Sequence, residues 1–149
     1  MHLQILNEVL AGKRLADKGL IEYLLKYNGN GKYYYKLAIV AERIRDFDAA
    51  IQLAEKAFSL KFNKSKIIAL LTRCHAYERV PVIFASTEVF RVQDLIYYAE
   101  ALEKLDLEPA ALKTLNFALE LSRLGNNKTL FRVINEKIKH LNTIPQPKL

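Results

Sequence analysis

The stretch Phe47-Asp48-Ala49-Ala50-Ile51-Gln52-Leu53-Ala54-Glu55-Lys56-Ala57-Phe58-Ser59-Leu60 decides the fold, because the chain repeats it. Pro109-Ala110-Ala111-Leu112-Lys113-Thr114-Leu115-Asn116-Phe117-Ala118-Leu119-Glu120-Leu121 aligns with it when Ala50 is set on Ala111 and Ala57 on Ala118. In both, apolar residues return three and four apart, the spacing of a helix with one buried face. Self-similarity of this kind marks an architecture of stacked supersecondary units. Each segment also follows a helical pattern that ends in a tight turn, so the repeating element is a helix pair.

Working outward, the same period continues almost throughout, and strand-like alternation is nowhere sustained. It predicts helices over Leu3 to Ala11, Asp17 to Tyr27, Lys32 to Arg45, Asp48 to Leu60 with Asp46 as N-cap, and Lys66 to Glu78 with Ser65 as cap. Val80-Pro81-Val82 interrupts the pattern, since proline removes an amide donor and restrains the residue before it. A short segment over Val82 to Phe90 follows. Three further helices cover Val92 to Leu105, the stretch opened by Pro109 and closed by Gly125-Asn126-Asn127, and Lys128 to Leu141. Asn28-Gly29-Asn30-Gly31 reads as a helix stop that exploits left-handed backbone. Turns of two to five residues force the helices to pack as antiparallel neighbours. The expectation is an all-α chain of eight to nine helices, one domain over residues 1–142 with a flexible tail over 143–149.

Composition agrees. Only five Gly and four Pro interrupt 149 residues, and Pro145 and Pro147 fall in the tail. A chain this long buries roughly 70% of its unfolded surface. The single cysteine, Cys74, makes no internal disulfide, so a reducing, cytoplasmic setting is expected. No basic leader and no apolar run of about 20 residues is present, so neither secretion nor membrane insertion is expected. The net charge of +7 divides into +1 over residues 1–31, +4 over 32–66, −2 over 67–106 and +4 over 107–149. Basic stretches steer toward phosphate, anionic lipid or acidic protein, and charge alone does not choose among them.

Candidate chemistry is sparse. Cys74-His75 is the one thiol beside an imidazole, but neighbours on a helix point about 100° apart, and no orienting carboxylate or oxyanion hole is evident. Cys74 reads as a core residue on the face of Ile67, Leu70 and Leu71. His2, His75 and His140 lie too far apart in sequence for a zinc motif. Gly29-Asn30-Gly31-Lys32 lacks the strand, loop length and Ser or Thr of a phosphate-binding loop. No catalytic residue, cofactor or metal is therefore expected. Lys32-Tyr33-Tyr34-Tyr35-Lys36 stands out: interleaved rings and cations suit bases and phosphates, or peptide recognition. Tyr34 is the ring expected in the core, and Tyr98 falls on the inner stripe of its helix.

These residues resemble the tetratricopeptide repeat family. Tyr34, Leu37 and Ala38 look like its first-helix set, and Phe47, Ala50, Ala57 and Leu60 like its second-helix set. Leu95, Tyr98, Ala99, Ala111, Ala118 and Leu121 follow more loosely, giving units at 32–65 and 93–126. The chain departs from the pattern where Arg45 stands in place of the turn glycine and Phe62 in place of the closing proline. The 61-residue offset between the units also leaves a shortened pair around Pro81. The resemblance implies a superhelix of helix pairs and a non-enzymatic interaction module whose concave face takes a partner peptide or helix. That face would present Lys32, Tyr35, Ile39, Glu42 and Arg43, then Lys66, Ala69, Arg73, Ala76 and Tyr77, with cations suited to an acidic partner. Self-association is compatible with so short a groove. The alternative from a different class is a nucleic-acid-binding helical repeat using the two basic segments.

Overall fold

The computed structural model describes residues 1–85 and 91–143. All regular structure among them is helical, in nine α-helices: α1 (His2–Leu10), α2 (Lys18–Leu25), α3 (Gly31–Arg43), α4 (Phe47–Ser59), α5 (Lys64–Arg73), α6 (Val80–Ala85), α7 (Val92–Lys104), α8 (Glu108–Leu124) and α9 (Lys128–Thr143). A 3-10 turn, Tyr77–Arg79, precedes α6. The chain divides into two compact units, Met1–Ala76 and Tyr77–Leu149.

In the first unit α3 and α4 make the most extensive helix contact, and in the second α7 and α8 do. These are the two pairs that the repeated stretch marks. Ala50, Ala57, Ala111 and Ala118 are all completely buried, so no larger side chain fits at these points without displacing a neighbour. Phe47 and Leu60, expected in the same second-helix set as Ala50 and Ala57, are 40% and 44% exposed. In the second unit Leu95, Ile96, Ala99, Leu102, Ala111, Leu115, Ala118, Ile134 and Leu141 form one buried cluster, with Tyr98 half-buried against it.

Several helix ends depart from the expected boundaries. Helix α5 starts earlier, because Asn63 and not Ser65 caps it: the Lys66 amide donates to Asn63 Oδ1 at 3.2 Å. Asn63→Ala is expected to cost about 1 kcal/mol, with Asn63→Asp close to wild type, as measured by chemical denaturation. The same helix stops at Arg73, five residues before the expected Glu78. Pro81 lies in the first turn of α6, where its missing amide costs little. Residues 86–90 of the segment expected over Val82 to Phe90 lie outside the described residues, as do 144–149 of the tail. Asn142 and Thr143 belong to α9, so the helix runs past the expected start of the tail.

One device ends six helices. After α1, α3, α4, α5, α7 and α8 the second residue beyond the helix takes positive φ: Gly12 (77°), Arg45 (63°), Lys61 (62°), His75 (60°), Asp106 (62°) and Asn126 (56°). Each is followed by the crossed pair of hydrogen bonds of a Schellman motif. After α3, the Arg45 amide donates to the Glu42 carbonyl at 3.0 Å and the Asp46 amide to Ala41 at 2.9 Å. After α7, Asp106 donates to Glu103 at 3.0 Å and Leu107 to Leu102 at 2.8 Å. Arg45 thus adopts a left-handed backbone, a conformation that glycine takes without a Cβ penalty.

Conversely, Gly29 and Gly31 do not have positive φ. They are required for space: a Cβ on Gly29 would lie 2.5 Å from the Tyr33 ring, and one on Gly31 would lie 2.9 Å from Phe62 Cβ and 3.2 Å from the Ala57 carbonyl. The turn before α3 is therefore a tight seam between backbone and side chains, closed by Asn30, whose Oδ1 accepts from the Tyr33 amide at 3.0 Å.

Candidate functional site

Of the ten residues expected at a partner-binding face, the first unit holds nine, and α3 is their centre. Helical periodicity sets Lys32, Lys36, Ile39 and Arg43 on one stripe, with Tyr35 and Glu42 along its edge. On one side the stripe is tied to α1: Lys36 Nζ donates to Asn7 Oδ1 at 2.9 Å, and Arg43 Nη1 to the Leu10 carbonyl at 3.0 Å. The second bond satisfies a carbonyl in the last turn of α1 with a cation, the favourable sign at a helix C-terminus.

On the other side the stripe meets α5. Arg73 Nε and Nη2 donate to Glu42 Oε2 and Oε1 at 2.8 and 3.0 Å, a two-point ion pair with a side chain from each helix. The Glu42 hydrogen bond raises the Arg73 pKa, burial works against it, and the Glu42 charge and the Tyr35 hydroxyl add to the rise. Tyr35 does not project freely. Its ring stacks on Phe62 at 4.9 Å between centroids, and Lys66 Nζ sits 5.9 Å from the ring centre. Ile39 is half-buried and Lys32 is exposed.

The electrostatic result is lopsided. Lys32, Lys36, Arg43, Lys66 and Arg73 lie along α3 and where it meets α1 and α5, while the carboxylates beside them are each paired, Glu42 with Arg73 and Glu8 of α1 with Arg14. The tenth residue, Tyr77, belongs to the second unit, half-buried in its 3-10 turn, with its hydroxyl pKa raised first by burial and then by the Glu100 charge.

Cys74 is buried, as expected, but it is the C-cap of α5 and His75 is the left-handed residue beyond it. The geometry of a continuous helix does not apply to this pair. Burial pushes the thiol pKa up, Glu42 adds to this and Arg73 opposes it. A thiolate nucleophile needs the reverse. Among the described residues no group of three or more His, Cys, Asp or Glu side chains lies close enough to hold a metal ion. No helix among them is long and apolar enough to cross a membrane.

Sequence reasoning missed an aromatic joint in the first unit. The His2 ring stacks on both Tyr23 and Tyr27, at 5.0 and 5.3 Å, and Tyr27 meets Tyr33 edge-on at 4.9 Å. Tyr33 is only 3% exposed, and its hydroxyl donates to the Leu24 carbonyl at 2.7 Å, at the end of α2. Tyr34 is buried beside it, with Lys56 Nζ 5.7 Å from its ring centre. The core thus takes two rings of the Tyr33-Tyr34-Tyr35 run. The available signal was spacing: Tyr33 stands two residues from Tyr35, on the opposite side of α3, and follows a glycine pair that only close packing requires.

Compared with known proteins, the chain matches no protein-family model, no curated protein and no solved structure.

Proposed function

We propose that the chain is a non-enzymatic interaction module, tetratricopeptide-like in its helix pairs, whose first unit receives an acidic segment of a protein partner across the face of α1, α3 and α5. The observation that carries the reading is the charge imbalance there. Among the described residues four cations, Lys32, Lys36, Arg43 and Lys66, make no ion pair with a carboxylate, and two of them are held in place by neutral groups of α1. A cation already positioned by a neutral acceptor loses little entropy on meeting a carboxylate, and it steers an acidic partner from a distance. Tyr35, backed by Phe62, adds a flat apolar body beside the charges, a residue type favoured at interfaces.

Lys32→Glu/Lys66→Glu tests this without touching the bonds to α1 or the Glu42 pair. The expected result is at least about a tenfold loss of affinity for captured partners, or for an acidic model peptide, at unchanged thermal stability. Unchanged capture would refute the assignment of this face. Salt separates the alternative. Nucleic acid held by the basic segments would be released steeply and log-linearly with salt, whereas a peptide with apolar anchorage would retain much of its affinity.

A further inference from the structure

Two Asn-Gly dipeptides, Asn28-Gly29 and Asn30-Gly31, lie within four consecutive residues leading into α3; both glycines are closely packed, but their asparagines are restrained differently. Asn-Gly is the pair at which an asparagine side chain closes most readily on its own backbone, because glycine has no side chain to shield the attacking amide nitrogen. Asn30 is restrained on both counts. Its Oδ1 caps α3 through the Tyr33 amide at 3.0 Å, and Gly31 is buried in the first turn against Phe62 and the Ala57 carbonyl. Cyclisation there would require giving up the cap and distorting a packed helix start. Asn28 is exposed, and its side chain has one long contact, from the Tyr34 hydroxyl at 3.4 Å. The Gly29 amide makes no backbone hydrogen bond among the described residues.

We propose that Asn28-Gly29 is a site of spontaneous deamidation that loosens the joint between α2 and α3, while Asn30-Gly31 is protected by its cap. The Gly29 amide nitrogen gives its proton to solvent base and attacks Asn28 Cγ. The new N–Cγ bond replaces the Cγ–Nδ2 bond, and the side-chain nitrogen leaves as ammonia with a proton from water. Water then opens the resulting succinimide at either carbonyl, leaving aspartate or isoaspartate, with no change of oxidation state.

The isoaspartate product matters most, because it inserts a methylene into the main chain immediately before Gly29. That backbone already touches the Tyr33 ring so closely that a single added Cβ would lie 2.5 Å from it. Lengthening the chain there displaces Tyr33, and with it the hydroxyl that holds the Leu24 carbonyl of α2.

The test is to age the full chain for weeks in mildly alkaline buffer and map it by mass spectrometry, using protein isoaspartyl methyltransferase to mark isoaspartate. Deamidation is expected several times faster at residue 28 than at residue 30. Asn28→Ser should abolish the methyl-accepting site, and Asn30→Ser, which retains a cap, should leave residue 28 reacting as in wild type. Chain carrying isoaspartate should unfold at lower denaturant than fresh chain. A parallel sample aged in denaturant reacts at both positions and shows that both are detected. An Asn28 no faster than Asn30 in the folded chain would overturn the site, and an unchanged unfolding midpoint would overturn its effect on the joint.

Discussion

Replacing Tyr33 by alanine is expected to destabilise the first unit by about 3–5 kcal/mol, the usual cost of emptying a buried aromatic site. The ring is 3% exposed, packs edge-on against Tyr27 and Tyr34, and rests on the Gly29 backbone. Tyr33→Phe separates the hydroxyl from the ring. The Leu24 carbonyl keeps a second donor, the Tyr27 amide at 3.2 Å, so losing the phenol does not orphan it and the cost should be only about 1 kcal/mol. Both values follow from urea denaturation. Equal losses in the two variants would mean that the hydroxyl, not the ring, secures α2. The same residue sets an alkaline limit. Burial first, then the neighbouring Tyr34, Tyr27 and Tyr23, push its pKa from 10.0 up to about 12. Folded chain holds this proton more tightly than unfolded chain, so its contribution is complete below pH 10 and is lost as pH rises through about 12. Tyr33→Phe should therefore lose stability less steeply than wild type above pH 10.

Helix content and pairing were legible because they rest on periodicity, which a sequence displays directly. The Ala50 and Ala57 match to Ala111 and Ala118 picked out four completely buried positions in the two helix pairs that make the most extensive contacts. What was not legible depends on backbone conformation. Left-handed positions were assigned to Asn28-Gly29-Asn30-Gly31, where glycine usually signals them, yet the chain places them at Arg45, Lys61, His75 and Asp106. Nothing in those side chains announces such a conformation, because the Schellman hydrogen bonds and the packing around them impose it. That is also why α5 stops at Arg73 without a visible breaker. For the candidate face, helical spacing gathered Lys32, Tyr35, Glu42 and Arg43 on α3. It could not show that Glu42 is taken up by Arg73, that Arg43 is drawn to the Leu10 carbonyl, or that Tyr35 lies flat on Phe62. Those are contacts between elements distant in sequence.

The glycine-poor helix ends carry the second large expected effect. Arg45, Lys61 and Asp106 are exposed, and each holds a left-handed conformation that costs an L-residue with a Cβ about 1–2 kcal/mol. Glycine removes that strain but loses more backbone entropy on folding, about 0.5–1 kcal/mol, so each replacement should gain about 0.5–1 kcal/mol net. The three sites sit at different helix ends and share no hydrogen-bond partner among the described residues, so their effects should add. Arg45→Gly/Lys61→Gly/Asp106→Gly is expected to stabilise the chain by about 2 kcal/mol, raising the thermal midpoint by about 4–8 °C, with the urea m-value unchanged. Removing Arg45 and Lys61 also lowers the net charge of +7, and relief of repulsion would stabilise as well. The alanine triple mutant separates the two causes. It makes the same change in charge but retains a Cβ, so the backbone strain persists. If the alanine variant gained as much as the glycine variant, charge would be the cause and the strain at these caps would be negligible. A gain confined to glycine would show that these helix ends carry strain that a one-atom change at each Cα relieves.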